Sequence, residues 1–142
     1  MSIAPDRDGE ETPQIDAPLR PGAAAVNPLL EIANATVRLY KQAFGRGPTY
    51  ARARFAGPDT LVVVLQDTMT VSERTLVALG EHTRLRDQRQ LLRGAVDEQM
   101  RALVERVLSR RTLSMINGID TERDVAVEVF LLAPVLELDP RR

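Results

Sequence analysis

The apolar residues of this 142-residue chain change their period once, abruptly, across Gly45-Arg46-Gly47-Pro48-Thr49. Before that stretch Leu29, Ile32, Ala33, Thr36, Val37, Tyr40 and Phe44 recur at three- and four-residue spacing, the stripe of an amphipathic helix. After it Ala51, Ala53 and Phe55 alternate with Tyr50, Arg52 and Arg54, the period of a strand. Two glycines and a proline between the two patterns are the punctuation such a switch needs. Asn27 is placed to cap the helix and Pro28 to occupy its first position. Gly45 can adopt the left-handed conformation that closes it. The expected helix runs from about 28 to 44, and the expected strand from Thr49 to Phe55.

The rest of the chain continues in kind. A turn at Ala56-Gly57-Pro58-Asp59 leads into Thr60-Leu61-Val62-Val63-Val64-Leu65-Gln66. This unbroken apolar run is expected to be an interior strand covered on both faces, hairpinned to its predecessor. Thr70 and Glu73 have the spacing of a capping box, which predicts a short helix through Leu76, Val77 and Leu79. From about Thr83 to Ser109 a long helix presents Leu85, Leu92, Val96, Gln99, Leu103 and Val107 on one stripe. Gly94 weakens it by about 1 kcal/mol relative to alanine. Arg111 to Asn117 and Asp124 to Leu132 alternate again, around a polar turn from Gly118 to Arg123. Pro134 ends the last strand because it lacks a ladder donor. The order α-β-β-α-α-β-β predicts an α+β fold: a four-stranded, mostly antiparallel sheet packed on helices.

Composition sets boundaries on function. With no cysteine in the sequence, disulfides, thiolate nucleophiles and cysteine-held metals are excluded. His82 is the only histidine, and no acidic motif has metal-loop spacing, so no metal site and no cofactor is expected. The net charge of −1 argues against a general nucleic-acid binder. No apolar run is long enough to span a bilayer, and the acidic start is not a signal peptide. A cytoplasmic location is therefore expected. Residues 1–26, with Pro5, Pro13, Pro18 and Pro21 among Asp6, Asp8, Glu10, Glu11 and Asp16, are expected to be disordered. The domain is expected over 27–134, with a loose tail over 135–142.

In this order the motifs resemble one small bacterial domain. The features are the N-terminal helix, Gly45-Arg46-Gly47-Pro48 followed by Ala51-Arg52-Ala53, the strand holding Leu61 to Leu65, and Thr70-x-x-Glu73 with Leu76. Asp124-Val125-Ala126-Val127-Glu128-Val129-Phe130 completes the set. Over residues 27–134 the chain is similar to the MpsC-like family, named for a sodium-translocating, membrane-potential-generating system. The resemblance implies a small soluble bacterial component, with a membrane-system component or a signalling protein as partner. It carries no established catalytic residues, so none is transferred.

The residues themselves offer two places to look. Gly45, Arg46, Gly47 and Thr49, with Arg52 nearby, have the makings of an anion nest. The plainer reading is a helix cap and a tight turn, which the negative end of the first helix favours. Glu128 lies within an apolar strand and requires a partner. Arg52 and Arg54 on the first strand are the expected cross-strand partners, and a catalytic acid is the sharper alternative. No nucleophile–base pair is visible, so no catalytic residue is assigned, and His82 is expected at the surface or in a cap. The expected function is a non-enzymatic module acting by association or regulation. The alternative is a small-anion or nucleotide sensor using the Gly45–Thr49 loop. A sheet face bearing Tyr50, Arg52, Ser114, Glu128 and Phe130 is the expected contact surface. A homodimer is expected, because a short sheet leaves edges and a face to cover.

Overall fold

The structure, a computed structural model, describes residues 27–135. The segment 1–26 and the tail beyond Val135 lie outside the described residues. Helix α1 (Pro28–Phe44) starts where the Asn27 side-chain oxygen accepts from the amides of Leu29 and Leu30, at 3.0 and 3.3 Å. It ends at Gly45 with φ 83°, whose amide donates to the Lys41 carbonyl. Gly47 is needed for a different reason: a Cβ there would stand 2.7 Å from the Val37 carbonyl oxygen. The loop thus folds down onto the helix it leaves.

Strands β1 (Tyr50–Phe55) and β2 (Thr60–Gln66) form the expected hairpin. Helix α2 (Val71–Ala78) begins with the capping box fully formed: Thr70 accepts from the Glu73 amide and Glu73 accepts from the Thr70 amide. Helix α3 (His82–Leu108) then leads to β3 (Thr112–Asp120) and β4 (Val125–Leu132). The strand order is β1-β2-β4-β3, antiparallel throughout. Strand β3 continues past Asn117 into the expected turn, as far as Asp120, because β4 supplies it with partners as far as Val125.

The helices cover one face of the sheet. Ala51, Ala53, Leu61, Val63, Leu65, Ala126, Phe130 and Leu132 point into them and join Ile32, Tyr40, Val96, Met100, Leu103 and Val104 in a single core. Each fully buried large aliphatic or aromatic side chain contributes about 1.5–3 kcal/mol. Two expectations fail here. The inner stripe of α3 runs Leu85, Arg89, Arg93, Val96, Met100, Leu103 and Val104, while Leu92 is 43 % exposed and Gln99 is exposed. Strand β2 is interior within the sheet, but among the described residues it is covered on one face only; Val62 and Val64 on the other face are only partly buried.

Candidate functional site

The buried face holds more charge than a small core usually contains. Glu128, 1 % exposed, stands on β4 directly opposite Val63 of β2 and points at the helices. The Tyr40 hydroxyl of α1 donates to its Oε2 at 2.9 Å, and Arg93 Nη1 of α3 donates to the same oxygen at 2.8 Å. Asp97, one turn along, lies 3.6 Å from the same guanidinium. Burial pushes the Glu128 carboxyl above its ordinary range, against the pull of Arg93 and Tyr40. Burial, and then the carboxylate beside it, raises the Tyr40 phenol. Among the described residues Glu128 Oε1 and Arg93 Nε have no hydrogen-bond partner.

A second buried pair lies one turn back on α3. Arg89 donates to both oxygens of Glu73, at 2.7 and 2.8 Å, and reaches the Thr68 hydroxyl at 3.1 Å. Its guanidinium also lies over the Phe44 ring, 4.8 Å from the centroid. Burial opposes ionisation of Glu73, but Arg89 and the Thr70 amide outweigh it and hold the carboxyl below its usual range. The capping residue of α2 is therefore also the counter-ion of α3, which ties the two helices together. Beside this pair Asp124, in a left-handed conformation at φ 56°, accepts from the amides of Thr68 and Met69. The turn into β4 is thereby pinned to the β2–α2 connection.

The expected site residues are distributed differently from their sequence reading. Arg46 donates to the Asp67 carboxylate at 2.8 Å and to the Asp67 carbonyl at 2.6 Å, so its charge is already matched. The amides of Gly45 and Thr49 are engaged by the Lys41 and Gln66 carbonyls. The structure gives Gly45 the cap and Gly47 the close approach described above. Arg52 stacks on Tyr50, 5.0 Å above its ring, on the sheet face turned away from the helices. The expected pairing of Arg52 and Arg54 with Glu128 does not form. Glu128 shares a face with Ala53 and Val63, whereas Arg52 and Arg54 share the opposite one with Val64 and Val62. The contact surface drawn through Glu128 and Phe130 fails for the same reason, since both residues are buried. His82 meets the Thr121 hydroxyl at 2.5 Å through Nδ1.

The face left open is the apolar one. Its register gives a grid in which Arg54, Val62, Val129 and Ile116 form one row across the sheet, and Arg52, Val64, Val127 and Gly118 the next. Leu131 with Ser114 lies beyond the first row, and Tyr50, Gln66, Val125 and Asp120 beyond the second. Four valines thus make the centre. Ile116 is 57 % and Leu131 40 % exposed. Among the described residues no helix lies over this face, and none of these side chains belongs to the core. On the opposite side of the molecule α1 and α3 enclose an open groove of about 390 Å³ lined by Arg38, Gln42, Gln99 and Arg106. Among the described residues no three acidic or histidine side chains group as metal ligands would. Among the same residues no helix is long and apolar enough to cross a membrane.

One helical layer on one face of a four-stranded antiparallel sheet, with ion pairs sealed between the layers, defines a small two-layer α+β module. A family model described as Na+-translocating membrane potential-generating system (MpsC) matches residues 29–134, and the chain belongs to that family. Neither the curated proteins nor the solved structures gave a significant match.

Proposed function

We propose that this module acts by association rather than catalysis, and that the open sheet face is its contact surface for a second copy of the chain. The observation that carries the reading is the valine centre of that face, Val62, Val64, Val127 and Val129, left uncovered by the described helices. Contiguous apolar surface of this kind marks an interface. Four strands, each about 4.8 Å wide, and four rows, each about 6.6 Å deep, project to roughly 500 Å². Enlarged by side-chain relief, that is on the scale of the roughly 800 Å² per partner of a stable complex. The ionisable groups in unusual surroundings, Glu73, Arg89, Arg93 and Glu128, are engaged with one another inside the core, which supports a structural role for them. The family's description names a Na+-translocating, membrane-potential-generating system, and the assembled module is proposed to act beside such a system as a regulatory partner.

Light scattering on a size-exclusion column tests the reading. The expected mass is twice the 15.8 kDa of one chain. Val64→Asp should reduce it to one chain while leaving the far-ultraviolet circular dichroism unchanged. Ile116→Lys, at a more exposed position, serves if the first variant does not fold. A wild-type monomer at high micromolar concentration, or folded variants that remain dimers, would remove the proposal.

A further inference from the structure

The two edges of the open face carry opposite charge, and this restricts how two copies can meet. Strand β1 contributes Arg52 and Arg54 to the face, both exposed. Strand β3, at the other edge, contributes Asp120, exposed and in register with Val125; the adjoining turn exposes Glu122 and Arg123, whose charges offset, so Asp120 is the group that makes this edge acidic. Asp120 Oδ1 accepts from the amides of Glu122 and Arg123, and this fixes the carboxylate at the edge. Between the edges lies the valine centre.

Packing two such faces leaves two simple two-fold axes that keep the strands aligned, as stacked sheets prefer. An axis perpendicular to the strands lays β1 on the partner's β1 and crowds four guanidinium groups along one edge. An axis parallel to the strands lays β1 of each copy on β3 of the other. In that arrangement the partner's Tyr50 stands over Asp120, with the partner's Arg52 one row away, and the partner's Arg54 crosses Ile116. The phenol and the guanidinium can both donate to the carboxylate, and the arginine stem can cover the isoleucine. Arg52 is already disfavoured as a cation by burial and by the neighbouring Arg54, so adding two more arginines to that edge compounds an existing strain.

We infer that two copies join face to face about an axis parallel to the strands, with the arginine edge of β1 over the acidic edge of β3 at both ends of the interface. The product is an eight-stranded sandwich with the helices on its outside. This inference rests on the association reading above but makes a separate prediction about geometry.

The sequence contains no cysteine, so introduced cysteines report without background. The experiment uses full-length Arg54→Cys and Ile116→Cys, purified separately, mixed to allow exchange, and treated with a short bis-maleimide. With the strand-parallel axis the two positions face each other across a sheet-to-sheet gap of about 10 Å. With the perpendicular axis they are offset by a further sheet width of roughly 14 Å. The expected result is a covalent dimer in the mixture at several times the yield of either variant alone. Equal or greater yield from Arg54→Cys alone would overturn the inference in favour of the perpendicular axis. A dimeric mass with no crosslink in any sample would overturn it while leaving self-association through another surface. A monomeric mass would overturn the association reading and this inference together.

Discussion

Replacing Arg93 by methionine is expected to cost about 4 kcal/mol at pH 7, and most of that cost should disappear by pH 5. Arg93 and Glu128 are 8 % and 1 % exposed and meet at 2.8 Å. Removing one member of a buried pair strands the other charge, typically at about 3–5 kcal/mol. The penalty has a ceiling, because Glu128 can take up a proton instead. For a glutamate titrating ordinarily near 4.3, protonation at pH 7 costs about 3.7 kcal/mol, at 1.36 kcal/mol per pH unit. At pH 5 the same ceiling falls to about 1 kcal/mol. The sign follows from the native environment. Burial already holds the Glu128 carboxyl above its ordinary range, so its contribution to stability declines as pH rises through the folded value. Losing Arg93 moves that value further up. Once protonated, Glu128 still accepts from the Tyr40 hydroxyl at Oε2, so little else is disturbed. Asp97 is 35 % exposed, and solvent screens it. Urea unfolding followed by circular dichroism at the two pH values measures the effect. Arg93→Met with Glu128→Leu should recover at least about 1 kcal/mol over the single variant at pH 7, even though Tyr40 loses its acceptor. A single-variant penalty below about 1 kcal/mol at pH 7, or one that does not shrink on acidification, would refute the argument.

Two further outcomes follow from the other ion pairs. Glu73→Gln should cost about 3 kcal/mol at pH 7 by stranding Arg89. Because Arg89 and Thr70 hold the Glu73 carboxyl below its usual range, its stabilisation is present above the unfolded-state value and lost as pH falls through the folded one. The urea midpoints of wild type and variant should therefore converge in acid; a constant gap would count against the pairing. Arg46→Ala should cost about 1 kcal/mol, through the Asp67 carboxylate and carbonyl it leaves, and phosphate should not raise the melting temperature of the wild type. A saturable rise that requires Arg46 would instead support anion binding at the Gly45–Thr49 loop.

Much of the fold was legible because local rules and tertiary packing agree. Asn27-Pro28 and Gly45 bound α1 where capping chemistry puts them, and Thr70 with Glu73 starts α2 as the spacing predicts. The site was less legible. A period of two states which residues of β4 share a face, but not which face meets the helices. The face with Val125, Val127, Val129 and Leu131 is the more uniformly apolar, yet it is the one turned outward. What reverses the expectation is polar matching between elements. Glu128 finds Tyr40 and Arg93 on two different helices, and no hydropathy count within one strand registers that. The missing signal was present in α3: Leu85, Arg89, Arg93, Val96 and Met100 follow one another at four, four, three and four residues, an unbroken stripe if arginine is admitted to it. A stripe drawn through apolar residues and Gln99 alone passes through Leu92 instead, and leaves Glu128 without its partners.

The inward turn of Glu128 and the outward turn of the valines are one event. The side chains of β4 alternate, so admitting Ala126, Glu128 and Phe130 to the core obliges Val127 and Val129 to face away. A register shift by one residue would bury the valines but leave Arg93 facing apolar side chains without its carboxylate and expel Phe130. The buried pair therefore disfavours the slipped register by the cost of an unpaired buried charge, about 3–5 kcal/mol. A sheet whose register is held from the helix side can keep an apolar outer face without sliding to hide it. The polar core thus keeps the valine face presented.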